Sequence, residues 1–336
     1  VSRAGAYLSA LQAELGGTLS FERFMREALY NPAFGYYSSR IQTVGRRGDF
    51  STWATLDNSL AQGIAQWLKK SRARHVIEIG AGSGDLARDV LKSLGWWTRR
   101  RISYHIVEVS EPLETKQRAA LQGSKIRWHR DMKNALAATG GEAFIFSNEV
   151  PDAFPCRIFE KSGAVWKELH LRLEEKKFHE VLVPADLPDS TVFDHPFSDG
   201  CRVEVHTSYR DWLMKWASDW KLGSMLTIDY GDTMPHLYHR RPRGTIRGYA
   251  HHQLLTGQDL TIAPGRCDLT ADVNFSDLER WGTQAGWHTL SHTSLKDFLS
   301  TMLPTESENP RLSEAGQAFR ALLQACPTAQ RPLTGK

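Results

Sequence analysis

Short apolar runs of strand length and longer amphipathic runs of helical period take turns along the middle of the chain. RHVIEIG, ISYHIVEVS, KIRWHR and AFIFSNE read as strands, and SMLTIDYGD adds a fifth further on. DLARDVLKSLGWW and EPLETKQRAALQ, lying between them, read as helices. Strands that alternate with helices imply right-handed crossovers and a parallel sheet covered on both faces, an α/β fold. Upstream, SFERFMREALY predicts a helix capped by Ser20, and DNSLAQGIAQWLKK predicts another with an acid at its start and lysines at its end.

The alternation is interrupted once. CRIFEKSGAVWKELHLRLEEKKFHEVLVP holds three strand-like runs separated by Ser-Gly and charged turns, an antiparallel meander. A helix is expected over 208–221, then a loop-rich stretch over 232–271 around a short strand, GTIRGYA. The tail RLSEAGQAFRALLQAC fits helix and strand equally well by period. The expected division is an N-terminal helical and loop cap (1–70), a core (71–155 and 208–336) and an antiparallel β insertion (156–207).

Composition narrows the class. With 41% hydrophobic and 24% charged residues among 336, the chain is globular, and a net charge of +4 does not by itself argue for nucleic acid or a membrane surface. No run approaches the length of a membrane span. Four widely spaced cysteines suggest no disulfide framework. The chain opens with Val1 and without a signal-peptide core, so a bacterial cytoplasm is expected, with a processed mitochondrial protein as the alternative. Eleven tryptophans are unusual. Helical spacing assigns those of YRDWLMKWASDW to core packing, but Trp96 and Trp97 have no such explanation. His236, His239, His251 and His252 lie in an Arg-rich loop without a carboxylate at ligand spacing, and no metal is expected.

Candidate chemistry sits at the strand ends. Gly80, Gly82 and Gly84 follow a strand and open a helix, where free N–H groups and absent side chains let a ligand approach the backbone. A dinucleotide site wants G-x-G-x-x-G, but Asp85 occupies its third glycine position, which argues against a nicotinamide-dependent oxidoreductase. G-x-G-x-G with Glu78 two residues ahead suits S-adenosylmethionine, whose amino-acid end carries an ammonium group. Glu108 ends the second strand, where a carboxylate can accept both ribose hydroxyls. Asp131 follows the third, where an adenine contact would fall. In FIFSNEVPDAFPCRIF an apolar run stops at Ser147, and Asn148, Glu149, Pro151 and Asp152 present an amide and two acids on a proline-stiffened turn.

Several segments in one order, NPAFGYYSSR, VGRRGDFST, the glycine turn, YHIVEVSEPL, SNEVPDAFP, LTIDYG, RGTIRGYAHH and APGRCDLTADVNF, resemble the MidA-like family of class I methyltransferases over roughly 20–325. The resemblance implies a Rossmann-like, mostly parallel twisted sheet of about seven strands, S-adenosyl-L-methionine as cofactor, and protein arginine as substrate. It places Glu78, Gly80, Gly82, Gly84, Glu108 and Asn148 at the cofactor. Gly48, Asp49, Phe50 and Thr52 match a segment that closes over it. Glu149 and Asp152 match the family's acidic turn. A guanidinium is planar and always charged, and a carboxylate pair can orient it through bidentate hydrogen bonds, so these two are the candidate catalytic residues. The chain departs from the family at Val150 and Pro151, at WATLD, and at Asp272 and Asn274 of ADVNF. A weakly catalytic, cofactor-binding assembly protein is therefore the alternative. A protein partner is expected, nucleic acid is not, and homodimerisation is left open.

Overall fold

The structure is a computed structural model that describes residues 3–40, 58–250, 253–304 and 318–327. Seven strands run side by side along its principal sheet, a short eighth (Val273–Asn274) pairing off that path: β1 (His75–Ile79), β2 (Ser103–Val107), β3 (Ile126–His129), β4 (Phe144–Asn148), β5 (Ser224–Asp232), β6 (His288–Ser294) and β7 (Phe319–Ala325). Their order across the sheet is β3-β2-β1-β4-β5-β7-β6. Strands β3, β2, β1, β4 and β5 pair in parallel, and β7 runs antiparallel to both of its neighbours. The expected α/β, mostly parallel sheet of about seven strands is what the chain forms.

Strands β1, β2 and β4 are five residues each, their apolar runs ended by Gly80, Glu108 and Ser147. Val76, Ile77, Ile106, Ile145 and Phe146 are fully buried, consistent with a sheet covered on both faces. The helices Ser59–Lys70 and Asp85–Ser93 pack on it through Leu60, Ile64, Leu68, Ala87 and Val90. Each fully buried large aliphatic side chain contributes roughly 1.5–3 kcal/mol. The run DLARDVLKSLGWW makes two helices rather than one, Asp85–Ser93 and Trp96–Arg101, separated by Leu94 and Gly95. Of the ambiguous tail, Phe319–Ala325 is strand β7.

The chain divides into two compact units. The sheet belongs to the unit built from 43–150, 212–231 and 278–336. The other unit comprises 1–42, 151–211 and 232–277. It contains the meander strands Arg157–Ser162, Val165–Glu174 and Lys177–Pro184, joined by Arg202–Val205 and by the short strand Leu19–Ser20. Every pairing in that sheet is antiparallel. A smaller sheet in the same unit sets Arg247–Ala250 between Gln253–Leu255 and Asp268–Thr270. Segments 1–42 and 156–207, expected as separate cap and insertion, thus fall in one unit, while Ser59–Lys70 falls with the sheet.

Candidate active site

Strand β1 ends in the glycine turn. Gly80, Gly82 and Gly84 have φ of 65°, 54° and 86°, a left-handed conformation that glycine adopts without steric cost. Space forbids a side chain as well. A Cβ on Gly80 would stand 2.8 Å from Val150 Cγ2, and one on Gly84 would stand 3.3 Å from the Gln117 Cα. Gly84 caps Asp85–Ser93 without a side-chain hydrogen bond, so this helix presents its first N–H groups beside the turn, a setting that favours an anion such as a carboxylate. Asp85 is turned away from that role by Ser83 Oγ at 2.6 Å and Arg88 at 2.5 Å.

Two carboxylates flank the turn. Glu78 is buried in β1, and the Tyr104 hydroxyl donates to its Oε2 at 2.6 Å. Burial, with the charge of Glu108 adding to it, pushes the Glu78 carboxyl up to about 7. Glu108 follows β2 and is also buried. Its Oε1 accepts from the Ser110 N–H at 2.8 Å and its Oε2 from Gln117 Nε2 at 2.8 Å. Burial raises its pKa against the pull of these bonds. Each oxygen retains further acceptor capacity, enough for two hydroxyls. Gln117 also donates to the Gly82 carbonyl at 3.0 Å and accepts from Trp128 Nε1 at 3.1 Å. One amide therefore fixes the carboxylate and the glycine turn relative to each other. Asp131, after β3, is exposed and caps the helix Met132–Ala138, its two oxygens held by the Asn134 N–H and side-chain amide at 2.8 and 2.7 Å.

The acidic turn leaves β4 at the same strand ends. Asn148 Nδ2 donates to Glu149 Oε1 at 3.1 Å, whereas Asn148 Oδ1 is buried without a hydrogen-bond partner among the described residues. Glu149 has φ 54°, a conformation that costs a non-glycine residue about 1–2 kcal/mol. Its N–H is tied to the Ile228 carbonyl of β5 at 2.9 Å, holding it there. Asp152 belongs to the other unit. It is buried and accepts from Thr270 Oγ1 at 2.6 Å, and its carbonyl accepts from the Ala271 N–H at 3.1 Å. Burial raises its pKa while the charge of Arg247 opposes the rise. The same Arg247 is ion-paired with Asp272, as is Arg241.

Of the residues expected at the cofactor, Glu78, Gly80, Gly82, Gly84, Glu108 and Asn148 thus lie at the carboxyl ends of neighbouring strands β1, β2 and β4, with Asp131 after β3, and the catalytic candidate Glu149 follows β4. Gly48, Asp49, Phe50 and Thr52 lie outside the described residues. Tyr104 and Gln117 are not legible in the sequence. A polar residue inside a strand or helix carries no local signal of what it will touch. The turn that a Cβ would fill and the unpartnered Asn148 oxygen fit S-adenosylmethionine. The glycine turn and helix start would hold its amino-acid end, and Glu108 its ribose. When bound, that group supplies a methyl on a sulfonium, ready for transfer to a nucleophile.

Comparison with known proteins gives the same reading. A family described as S-adenosyl-L-methionine-dependent methyltransferases matches residues 59–293. Mitochondrial protein arginine methyltransferase NDUFAF7 of Homo sapiens is 30% identical over 302 residues, covering 79% of this chain, which spans 65% of that protein. The Rattus norvegicus protein of the same name is 28% identical over 85% of the chain and 71% of its own length. A superfamily member from Burkholderia thailandensis, crystallised with S-adenosyl-homocysteine, superposes with a TM-score of 0.83 at 27% identity, over 96% of this chain and 91% of that one. A native structure from the same organism gives 0.78 at 26%, with the same coverage. A match over most of the sheet and an architecture shared along nearly the whole length leave one assignment: the chain belongs to the S-adenosyl-L-methionine-dependent methyltransferases, in the MidA-like family that its motifs resemble.

Proposed function

We propose that this chain transfers a methyl group from S-adenosylmethionine to an arginine side chain of a protein, with Glu149 as the residue that orients the guanidinium and Asp152 as its partner on the same turn. The observation that carries this reading is the strained backbone of Glu149. A carboxylate held in the left-handed region, directly after β4, is costly to keep there and is anchored on both sides by Asn148 and Ile228. A carboxylate in that place can draw a guanidinium's charge toward two of its nitrogens and leave the third aligned for attack. The arginine methyltransferase names of the relatives support the substrate class.

The assembly-protein alternative has one observation in its favour. Asp152 is turned onto Thr270, and the charges acting on it, Arg247 and Asp272, are the chain's own. Measuring labelled-methyl transfer to lysate proteins by Glu149→Gln, alongside S-adenosylhomocysteine affinity, separates the two readings. Loss of one charge-assisted hydrogen bond should lower turnover on the order of 10- to 100-fold with cofactor affinity retained. Unchanged turnover removes Glu149 from the chemistry, and no methylated product from the parent chain favours the assembly role. Among the described residues no helix is long and apolar enough to cross a membrane. The expected bacterial cytoplasm remains a proposal, supported by four free cysteines, and the named relatives are mitochondrial.

A further inference from the structure

The two tryptophans left unexplained by the sequence are also the most unusual feature of the surface. Trp96 and Trp97 open the short helix Trp96–Arg101 and are 57% and 74% exposed. Their rings pack edge to face at 4.4 Å, and the Arg100 guanidinium lies 4.6 Å from the Trp96 centroid. The rest of the helix is Thr98, Arg99, Arg100 and Arg101, and the three arginines are exposed.

Neighbouring turns extend the charge. Arg72 and Arg74 precede β1, and the Arg74 carbonyl accepts from the Ser103 N–H at 2.8 Å, which sets that turn beside the end of the helix. Lys125 precedes β3, and Arg99 donates to Ser124 Oγ at 2.9 Å, which sets the third turn on the other side. The segments 71–75, 94–103 and 121–130 contain no acidic residue. Seven of their exposed cations, Arg72, Arg74, Arg99, Arg100, Arg101, Lys125 and Arg127, form no ion pair among the described residues. Arg130, past the other end of β3, is paired with a carboxylate, as are Arg88 and Arg118 elsewhere in this unit. This corner is basic well beyond the chain's net charge of +4.

We infer that this corner docks the chain onto an anionic lipid surface, with the two indoles entering the headgroup layer and the arginines meeting lipid phosphates. Indoles suit that boundary because an apolar body carries one polar N–H, and basic residues clustered beside them are drawn to a negatively charged leaflet. Single-stranded nucleic acid fits less well. It needs open aromatic faces for successive bases, whereas the Trp96 ring here is engaged by Arg100 and by the edge of Trp97. The corner lies at the amino ends of β1, β2 and β3, and the glycine turn, Glu108 and Asn148 lie at carboxyl ends. The strands separate the two edges by roughly 15 Å, so docking would leave the cofactor edge facing away from the bilayer.

Vesicle flotation of the full chain tests this. It should float with vesicles of phosphatidylcholine mixed with phosphatidylglycerol and not with phosphatidylcholine alone. Raising salt until the Debye length falls from about 10 Å to about 3 Å should release it. Arg99→Gln and Arg100→Gln should each weaken binding about fivefold. Trp96→Ser with Trp97→Ser should weaken it at least about tenfold. Thermal midpoint and S-adenosylhomocysteine affinity should be unchanged in all variants, since these side chains are exposed and lie at the opposite strand ends. No flotation, equal flotation with neutral vesicles, variants that bind like the parent, or displacement by a single-stranded RNA oligonucleotide at equal phosphate concentration would each overturn the inference.

Discussion

Glu204 and Glu78 are both carboxylates at 1–2% exposure on short strands, one in each unit, and they are provided for in opposite ways. Glu204 Oε1 accepts from the Thr245 and Ile246 N–H groups at 2.9 and 3.2 Å, and its Oε2 from the Thr245 and Tyr238 hydroxyls at 3.0 and 3.1 Å. Its own N–H donates to the Tyr238 hydroxyl at 2.8 Å. Asp277 in the same unit is likewise filled, by Ser190 and Thr191. Among the described residues Glu78 has one side-chain hydrogen-bond partner, Tyr104, and it faces the like charge of Glu108. A buried acid surrounded by donors organises the fold around itself. One with a single donor and a repelling neighbour keeps acceptor capacity open, which suits the place at the cofactor proposed for Glu78.

The comparison breaks most visibly in stability. Glu204→Ala strips acceptors from two backbone N–H groups and two hydroxyls in a buried site, and should cost about 3–4 kcal/mol in denaturant unfolding. Glu78→Gln should cost far less, and above pH 7 should stabilise. The folded Glu78 carboxyl is raised from 4.5 to about 7, so the folded chain binds this proton more tightly than the unfolded one. Its stabilising contribution is full below about pH 4.5 and is lost as pH rises through 7. A permanently neutral glutamine removes that slope. If the two variants lose equal stability at pH 8, the distinction between the two acids is wrong.

That distinction was only half legible in the sequence. Glu78 and Glu108 could be read because each sits at or near the end of a strand whose apolar pattern is local, and the glycine turn between strand and helix is a contiguous signal. Glu204 could not be read, since its donors come from residues 238, 245 and 246, more than thirty positions away in a loop-rich stretch. The same reason hid β7, whose place between β5 and β6 depends on strands far away in sequence. It also hid the pairing of Leu19 with Leu171, which draws the N-terminal segment and the meander into one unit. Gln117 was missed because a glutamine on a helix is ordinary until its neighbours are known.

Cofactor binding sharpens the same contrast at a smaller scale. If Glu78 serves the ammonium end, it must be ionised to do so. S-adenosylhomocysteine affinity, followed by calorimetry, should then fall up to tenfold per pH unit below about 7, and Glu78→Gln should be weaker above pH 7 with a flat profile. Glu204→Gln, if folded, should keep the parent profile. An affinity independent of pH between 5.5 and 8 in the parent (roughly the range over which a carboxyl with a pKa near 7 changes charge) would take Glu78 out of the binding site.

The smallest effect concerns Glu149, which the comparison places with Glu78 as an acid kept at a cost. Glycine adopts φ 54° freely, so Glu149→Gly relieves about 1–2 kcal/mol of backbone strain. Against that stands about 0.5–1 kcal/mol for the greater entropy of glycine in the unfolded chain. The net should be a gain of up to about 1 kcal/mol in unfolding free energy, together with the loss of methyl transfer expected of Glu149→Gln. Stability gained while turnover is lost is the behaviour of a residue retained for chemistry. A loss of stability in Glu149→Gly as large as that of Glu204→Ala would instead show that the carboxylate holds the turn together, and would move Glu149 to the structural side of the comparison.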